Sequence, residues 1–525
     1  MSTKKKISIY DTTLRDGAQT EGISLSLEDK TAIAKRLDSF GIDFIEGGWP
    51  YSNPKDTDFF AYFRKHKLKR SKVVPFGSTA HPAKPPSKDK NLLSLVKAGT
   101  EYVTIFGKSW DLHVKEVLKI SLEKNINLIS KSVEFLKKKK KKVFYDAEHF
   151  FDAYKNNSDY ALQTIKAAKL AGADLIIFCD TNGGTLPWEI EVISQTVKEG
   201  LSLGNYGIHC HNDLGMAVAN SLIVADQDCS QIQGTINGYG ERCGNANLTT
   251  IVPILKTKMN KSISCSRSLA DITHLSYYVS EICNMVHRDN YPLVGRSAFA
   301  HKGGVHIDAV IKNPLAYEHI EPKLVGNKRR FVVSELAGKS TLVTKAKELE
   351  FELDKKSKKA KEIHKLVQRL EKEGYQFEAA EGSFKLLLQK QLKRIKRFFT
   401  LLGFKVIIEK REDNQLISEA TIKLKIDKKL EHTAAEGDGP VNALDKALRK
   451  ALVGAYPELL EMHLTDFKVR VLDATEGTAA KVRVLIQSQD SQEKWTTIGV
   501  SENIIEASWQ ALVDSVEYKL LKSRK

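Results

Sequence analysis

The first half of the chain alternates short apolar runs with amphipathic segments of helix length. The apolar runs of strand length cover residues 7–10, 44–46, 73–76, 102–106, 143–146, 175–179, 207–211 and 231–236. Between them, segments such as 27–40, 160–171 and 216–225 repeat apolar residues every three to four positions, which predicts helices. Eight strand–helix units in about 250 residues predict an α/β fold with a closed (β/α)8 TIM barrel.

An open, doubly wound sheet would use the same alternation of strands and helices. That fold is typically marked by a glycine-rich nucleotide-binding turn after its first strand. Here the first strand leads instead into Asp-Thr-Thr-Leu-Arg-Asp-Gly at residues 11–17. The sequence therefore favours the barrel over the open sheet.

A chain of 525 residues is too long for one hydrophobic core. We expect the barrel over residues 1–262, a helical linker region over 263–385 and a C-terminal α+β domain over 386–525. This last domain contains a weak internal repeat, in which apolar alternation is followed by a helix. The two units cover strands at 420–426 and 430–435 with a helix at 441–452, and strands at 481–487 and 494–500 with a helix at 504–521.

The formal net charge of +17 could indicate nucleic-acid binding. The basic residues are not interleaved with aromatic residues in a recognisable binding motif, so we attribute them to solvated helix faces and expect no nucleic-acid partner. The positive potential would also help to attract a polyanionic small molecule such as a coenzyme A thioester.

The lengths of the apolar runs and the number and spacing of the cysteines indicate the cellular location. No apolar run is long enough to span a bilayer, and the basic N-terminus lacks the apolar core of a signal peptide. The six cysteines have no paired zinc-type spacing, which suggests reduced thiols. We therefore expect a cytoplasmic protein without a membrane partner.

Polar residues follow the predicted strands at their carboxyl ends. In a barrel these ends converge on one mouth, where active sites are built. The residues in question are Arg15, Asp16, Glu46, Asp146, Glu148, Asp180, Thr181, His209, His211 and Asn245.

His209 and His211 are two positions apart on a predicted strand, so both imidazoles point to the same face. An isolated pair of this kind is more often a half-buried or surface pair than a metal site. Asp16, and Asn245 as a further oxygen donor, add ligands at the same mouth. This mixed set suits a divalent Mg, Mn, Co or Zn ion with open positions for substrate oxygens.

Other polar residues at the mouth have both chemical and structural interpretations. Arg15 could bind a carboxylate or stabilise a developing enolate or alkoxide, or it could form a surface salt bridge. Glu46, Asp146 and Glu148 are candidate acid/base or positioning groups, or strand-end residues bonded to neighbouring loops. Thr181 could donate its hydroxyl to a substrate carboxylate, or cap a turn.

Several motifs together resemble the metal-dependent Claisen-condensing family that includes α-isopropylmalate synthase, homocitrate synthase and citramalate synthase. In the barrel they are residues 11–17, 209–213 and 240–245. Residues 299–306 resemble the linker region of these synthases, and residues 437–441 resemble the start of a helix in their C-terminal regulatory domain. The resemblance covers nearly the whole chain.

Within the family, residues 46–50, 52–55 and 147–152 are most similar to the branch that uses pyruvate. Isopropylmalate synthases usually have a more aliphatic version of the first motif. A bulky Trp49 near the mouth could leave room only for a small 2-oxo acid. Tyr51 stands where this branch is expected to have a glycine.

The resemblance implies that acetyl-CoA, pyruvate and water give citramalate and CoA. Arg15 would stabilise negative charge as the carbon–carbon bond forms, Thr181 would hold the pyruvate carboxylate, and Glu46 and Asp146 would help to bind the substrate. The implied metal ligands are Asp16, His209, His211 and Asn245.

A base must remove a proton from the acetyl methyl group. By family resemblance the candidates are His306 and Tyr317 of the linker region, from the same or a partner subunit, with Glu148 assisting through water. His301 is an alternative to His306, and either histidine could instead make a structural hydrogen bond.

The C-terminal repeat resembles a dimeric allosteric domain that binds a branched-chain amino acid. It implies a homodimer with isoleucine as the feedback effector in isoleucine biosynthesis, whereas the alternative is a dimerisation module without a ligand. A 2-isopropylmalate synthase would differ only in the 2-oxo acid. A lyase of the hydroxymethylglutaryl-CoA type would lack the linker and regulatory tail and would carry a loop cysteine that is missing here.

Overall fold

The protein is represented by a computed structural model that describes residues 6–332, 339–349, 351–354, 356–392, 397–412, 414–472, 480–491 and 493–523. The chain divides into two compact units, Met1–Phe299 with His319–Arg329, and Ala300–Glu318 with Arg330–Lys525. The three-domain division at residues 262 and 385 stays a prediction.

The predicted barrel is confirmed in the first unit. Its eight parallel strands follow one another in chain order, and the last pairs with the first through the register Ser8↔Gln231 to Asp11↔Gly234. Buried apolar side chains cover both surfaces of most strands, as expected where helices surround a parallel sheet. The strands are β1 (Ser8–Asp11), β2 (Phe44–Gly48), β3 (Lys72–Ser78), β4 (Tyr102–Lys108), β5 (Lys142–Glu148), β6 (Leu175–Asp180), β7 (Tyr206–Cys210) and β8 (Gln231–Gly234).

Helices surround the barrel, and local signals in the sequence set their ends. The first helix begins after Ser26, whose hydroxyl accepts from the Asp29 N–H while the Asp29 carboxylate accepts from the Ser26 N–H. It ends at Gly41, whose φ of 100° is one that glycine adopts readily. The helices are α1 (Leu27–Phe40), α2 (Pro54–Lys65), α3 (Lys90–Lys97), α4 (Leu122–Lys138), α5 (Phe150–Asn156), α6 (Ser158–Leu170), α7 (Pro187–Gly200), α8 (Ala217–Asp226), α9 (Leu248–Thr257) and α10 (Ile272–Ile282).

The second unit begins with a small parallel pair of strands and a set of helices. The two strands pair through Ala300↔Arg330 and His301↔Phe331. Phe377 and Phe384 belong to the apolar core around the later helices. These elements are β9 (Ala300–His301), α11 (Gly304–Lys312), β10 (Arg330–Phe331), α12 (Lys339–Glu348), α13 (Lys358–Lys372) and α14 (Glu381–Gln391).

The rest of the second unit contains the predicted α+β repeat. Each half is a three-stranded antiparallel sheet followed by a helix, and Pro440 stands at the start of the first of these helices. The elements are β11 (Thr400–Lys410), β12 (Leu416–Ile426), β13 (Lys429–Gly437), α15 (Pro440–Leu452), β14 (His463–Val471), β15 (Val482–Gln489), β16 (Lys494–Ser501) and α16 (Ile504–Ser523). Among the described residues, no helix has both the length and the hydropathy required to cross a membrane.

Candidate metal centre and active site

Three potential metal ligands meet at the carboxyl ends of the barrel strands. Asp16 lies in the loop after β1, His209 lies near the end of β7, and His211 follows that strand directly. One ligand atom from each residue lies within 4.8 Å of the other two, and all three residues are buried. The parallel strands explain this convergence, because their carboxyl ends all open at the same mouth.

The distances within this cluster suit a shared cation. The Nε2 atoms of His209 and His211 are 3.4 Å apart, and they lie 3.2 Å and 3.8 Å from Asp16 Oδ2. Two imidazole nitrogens and a carboxylate oxygen form a mixed donor set that several divalent metals accept. Of the residues that the structure describes, only these three form such a group of histidine, cysteine and acidic side chains.

Asn245 completes the cluster from the loop after β8. Its Nδ2 donates to Asp16 Oδ2 at 2.7 Å and lies 3.4 Å from His209 Nε2. Its Oδ1 is buried and has no hydrogen-bond partner among the described residues. A side chain on Gly240 would lie 2.0 Å from that oxygen, so the glycine leaves room for the amide. Turning the amide by half a turn would direct the oxygen towards the ligand cluster, and the donor set therefore fits a metal.

His209 is oriented by Gln233, a residue that the motifs did not identify. His209 Nδ1 lies 3.0 Å from Gln233 Oε1, and Gln233 Nε2 lies 3.3 Å from Gln231 Oε1 and 3.4 Å from Asp146 Oδ1. The glutamine oxygen accepts from Nδ1, which leaves Nε2 as the free ligand atom. Two glutamines at alternate positions of the buried strand β8 were the available sequence signal, because such side chains need polar partners.

Arg15 is held against the cluster by carboxylates and an aromatic ring. Its Nε donates to Glu46 Oε1 at 2.5 Å, and its Nη1 lies 3.3 Å from Asp16 Oδ1. The guanidinium lies 3.9 Å from the centre of the Phe76 ring. The Tyr10 hydroxyl donates to the second Glu46 oxygen at 2.7 Å. Glu46 therefore directs Arg15 rather than standing free at the mouth.

The ionisable groups of the cluster have shifted pKa values. Burial alone would raise the pKa of Asp16, but the Arg15 guanidinium and the two imidazoles hold it well below its usual range. Burial would lower the pKa of His209, but the adjacent Asp16 carboxylate raises it, whereas burial lowers the pKa of His211 to about 4. Burial, and then the charge on Glu46, raise the pKa of Asp146 to about 7.

Glu148 and Thr181 occupy neighbouring strand ends. Glu148 Oε2 lies 2.5 Å from Lys108 Nζ, an ion pair between β5 and β4 that the motifs did not indicate. Thr181 follows β6 and accepts from the backbone N–H of His149 at 2.9 Å. The Thr181 hydroxyl thereby keeps its own proton available for donation.

The residues predicted to supply the base belong to the second unit. His306 and Tyr317 stack at 4.2 Å between ring centres and are both exposed. His301 is largely buried, and its Nε2 lies 3.1 Å from Glu318 Oε1. His301 is thus engaged in a local ion pair, whereas the other two rings remain accessible to solvent.

Aromatic side chains pack beside Arg15. Trp49 makes edge contacts with Phe76 and Phe106 at 5.9 Å and 5.7 Å, and these two phenylalanines stack at 5.4 Å. The Trp49 indole N–H donates to Asn91 Oδ1 at 2.8 Å. These contacts hold the ring in one orientation on the Arg15 side of the mouth.

Comparison with known proteins agrees with this barrel and its candidate metal site. Residues 6–279 match the HMGL-like family, residues 293–374 match the homocitrate synthase post-HMGL domain-like family, and residues 378–520 match the LeuA allosteric (dimerisation) domain. The chain belongs to the HMGL-like family of metal-dependent TIM-barrel enzymes.

Within that family, the chain is similar over its full length to several synthases. It is 54% identical to an (R)-citramalate synthase of Aquifex aeolicus, across 99% of this chain and 98% of the relative. It is 53% identical to one of Geobacter sulfurreducens, across 98% of each chain. A 2-isopropylmalate synthase of Methanocaldococcus jannaschii is more distant, at 31% identity across 99% of this chain and 96% of the relative.

Proposed function

We propose that this protein is an (R)-citramalate synthase, which condenses acetyl-CoA with pyruvate and hydrolyses the thioester to release CoA. The main support is that five full-length relatives with this name share 43% to 54% identity with the chain. The ligand cluster at the barrel mouth is the structural observation that agrees with it.

In this proposal Asp16, His209, His211 and Asn245 hold a divalent Mg, Mn, Co or Zn ion. A metal at this position would act as a Lewis acid on the keto carbonyl of pyruvate. Gln233 keeps the His209 ring in its ligating orientation. Because the cluster is buried, substrate oxygens would replace water in a small, preorganised space.

Arg15 and Thr181 bind the charged parts of the substrate. Glu46 and Asp16 take up part of the Arg15 donor capacity, and the remaining N–H groups can donate to the keto oxygen as it gains negative charge. The Thr181 hydroxyl donates to the pyruvate carboxylate. Glu46 and Asp146 support substrate binding indirectly. Glu46 accepts a hydrogen bond from Arg15, and Asp146 accepts one from Gln233.

The base is His306 together with Tyr317 of the linker region, from the same or a partner subunit, and it removes the methyl proton of acetyl-CoA. The carbanion attacks the keto carbon, and the keto oxygen takes up a proton. Water then attacks the thioester carbonyl, and CoA leaves as the thiol. Glu148, paired with Lys108, assists the base through a water molecule. The engagement of His301 with Glu318 favours His306 over His301 as the base.

Trp49 limits the size of the 2-oxo acid. Its ring is fixed against Phe76 and Phe106, and Phe76 also contacts the Arg15 guanidinium. A pocket bordered by these rings suits the methyl group of pyruvate better than a branched chain. One extra or missing methylene in a hydrophobic pocket changes discrimination between substrates by about 10- to 200-fold.

The decisive experiment is a CoA-release assay over a panel of 2-oxo acids. We expect turnover with pyruvate, little with 2-oxoisovalerate, and loss of turnover after stringent chelation that added metal restores. The Trp49→Leu variant should shift the preference towards 2-oxoisovalerate by about tenfold or more. A preference of the wild type for 2-oxoisovalerate would instead identify a 2-isopropylmalate synthase and reject the proposal.

The C-terminal repeat forms a homodimer and binds isoleucine as a feedback effector. The match of residues 378–520 to the LeuA allosteric (dimerisation) domain supports this part of the proposal. Exposed apolar side chains on β11, namely Leu402, Ile407 and Ile408, provide surface for a second copy. Light scattering and titration of the full-length protein with isoleucine and leucine test it, and a monomer without heat for either amino acid would reject it.

A further inference from the structure

Thr181 is held by residues of two other loops at the barrel mouth. On one side the N–H of His149, in the loop after β5, donates to Thr181 Oγ1 at 2.9 Å. On the other side Arg242, in the loop after β8, donates from Nη2 to the Thr181 carbonyl oxygen at 2.8 Å. His149 has a φ of 55° and Arg242 a φ of 58°, so both contacts come from residues in the left-handed region.

Arg242 is itself clamped by Asp213 in the loop after β7. Its Nε donates to Asp213 Oδ1 at 2.8 Å, and its Nη2 lies 3.0 Å from Asp213 Oδ2. The Arg242 hydrogen bond lowers the pKa of Asp213. The guanidinium therefore joins the loops after β6, β7 and β8 through planar, charge-assisted hydrogen bonds.

The loops after β6 and β7 touch directly beneath this contact. Gly183 has a φ of 58°, and a side chain on it would lie 2.6 Å from both the backbone nitrogen and Oδ2 of Asp213. The N–H of Leu214 donates to the Gly183 carbonyl at 3.1 Å. With the loops in such close contact, a change in the Arg242–Asp213 pair would be transmitted to Thr181.

Stability alone is a weak reason for this arrangement. The side chain of Arg242 is 40% exposed and that of Asp213 is 25% exposed. Ion pairs of such exposure contribute little to the free energy of unfolding. A small displacement of a substrate-binding hydroxyl, by contrast, can lower the rate of catalysis strongly.

We propose that Arg242 is a positioning residue, which with the His149 backbone holds Thr181 so that the hydroxyl proton points at the carboxylate of the 2-oxo acid. The inference rests on the proposed function of the site. It assigns the Gly-Glu-Arg-Cys-Gly-Asn motif two tasks, since Asn245 serves the ligand cluster and Arg242 serves the substrate carboxylate.

The test compares steady-state kinetics of full-length Arg242→Gln and Arg242→Lys with the wild type. We expect Arg242→Gln to raise the KM for pyruvate about tenfold or more, with the KM for acetyl-CoA and the metal affinity unchanged. Arg242→Lys should restore only part of the affinity for pyruvate, because an ammonium group cannot reproduce the planar pair of guanidinium hydrogen bonds to Asp213. Asp213→Asn should also raise the KM for pyruvate without changing the KM for acetyl-CoA. This variant replaces Arg242→Gln in the test if Arg242→Gln does not fold.

The matched control is Arg36→Gln, which removes the pairing of Arg36 on α1 with Asp271, the residue directly before α10 in the same unit. Because this pair is about as exposed as the Arg242–Asp213 pair, the variant should change the free energy of unfolding little and should leave the KM for pyruvate unchanged. A double-mutant cycle then tests the route of action. If Arg242 acts through Thr181, adding Arg242→Gln to Thr181→Val should cause little further loss.

Independent effects of the two substitutions, or an unchanged KM for pyruvate in Arg242→Gln, would overturn the positioning role. Those results can be obtained only with an enzyme that turns over pyruvate, so they leave the proposed function standing. A wild-type protein that releases no CoA with any 2-oxo acid would overturn the proposed function and the positioning role together.

Discussion

The two units of the molecule bury charge in different ways. In the barrel, Asp16 faces Arg15, two imidazoles and Asn245, yet Asn245 Oδ1 has no hydrogen-bond partner within the described ranges. In the C-terminal repeat, Asp490 accepts from Lys519 Nζ at 2.9 Å and from Lys522 Nζ at 3.0 Å.

This difference distinguishes a candidate binding site from a structural ion pair. A buried charge is tolerated when its partners compensate its desolvation, and the Asp490 cluster meets that condition with its own residues. In the barrel cluster the buried oxygen of Asn245 has no such compensation from the described residues, and it could serve as a ligand to a cation. Substitutions in the first cluster should therefore affect ligand binding most, and those in the second should affect stability most.

The largest expected effect is that of Asp16→Asn in the barrel. The neutral amide is a poorer ligand, so metal affinity should fall and CoA release should drop by a factor on the order of a hundred to a thousand. Asp16 is buried and paired, but Arg15 keeps Glu46 as its partner, so the free energy of unfolding should fall by about 1–2 kcal/mol, less than on loss of Asp490. Calorimetric titration with Mn²⁺, the CoA-release assay and urea denaturation measure the three quantities. Metal affinity equal to that of the wild type would remove Asp16 from the ligand set.

The next effect is that of Asp490→Ala in the C-terminal repeat. Lys519 is buried and, among the residues that the structure describes, would keep only Glu461, whose side chain is 63% exposed. We expect a loss of about 3 kcal/mol in the free energy of unfolding, with unchanged metal affinity. The more exposed Lys522→Gln is the control and should cost about 1 kcal/mol or less. Equal losses of free energy of unfolding in the two variants would show that burial of the charge does not determine the size of the loss.

The same contrast determines how far the sequence predicts the fold. Barrel strands were identified because both surfaces are buried, which produces continuous apolar runs such as 175–179 in β6. The prediction missed β11 and β14, the first strands of the two C-terminal sheets. On these strands apolar side chains such as Ile407, Ile408 and Val469 are exposed, so no clean alternation of apolar and polar residues appears.

The site was predictable where chemistry depends on residue type and not where it depends on loop contacts. His209 and His211 are separated by two positions on a strand, so the sequence alone places them on one face. Arg242, Gln233 and Lys108 gain their partners only when distant loops and strands meet at the mouth. The roles of His306 and Tyr317 came from the family resemblance, and their stacking agrees with a joint role that stays a prediction.

The smallest effect concerns the pH dependence of two buried carboxylates in the barrel unit. Asp11 accepts from the N–H and hydroxyl of Thr13, and burial raises its pKa to about 7. For Asp38, burial acts to raise the pKa, but N–H groups of the chain at Ser71 and Arg70 lower it overall.

These shifts have opposite consequences for stability. The stability that Asp11 contributes is present below its unfolded pKa near 4 and is lost as the pH rises through about 7. That of Asp38 is present above its unfolded pKa and is lost only as the pH falls through its lower folded pKa. Between pH 5 and pH 8, the wild type should therefore lose about 2 kcal/mol of its free energy of unfolding relative to Asp11→Asn, which has no carboxyl at this position. The cost of Asp38→Asn should stay constant over the same range. Urea denaturation at both pH values measures the difference in free energy of unfolding between each variant and the wild type. A difference for Asp11→Asn that does not change with pH would mean that the Asp11 carboxyl is ionised throughout this range.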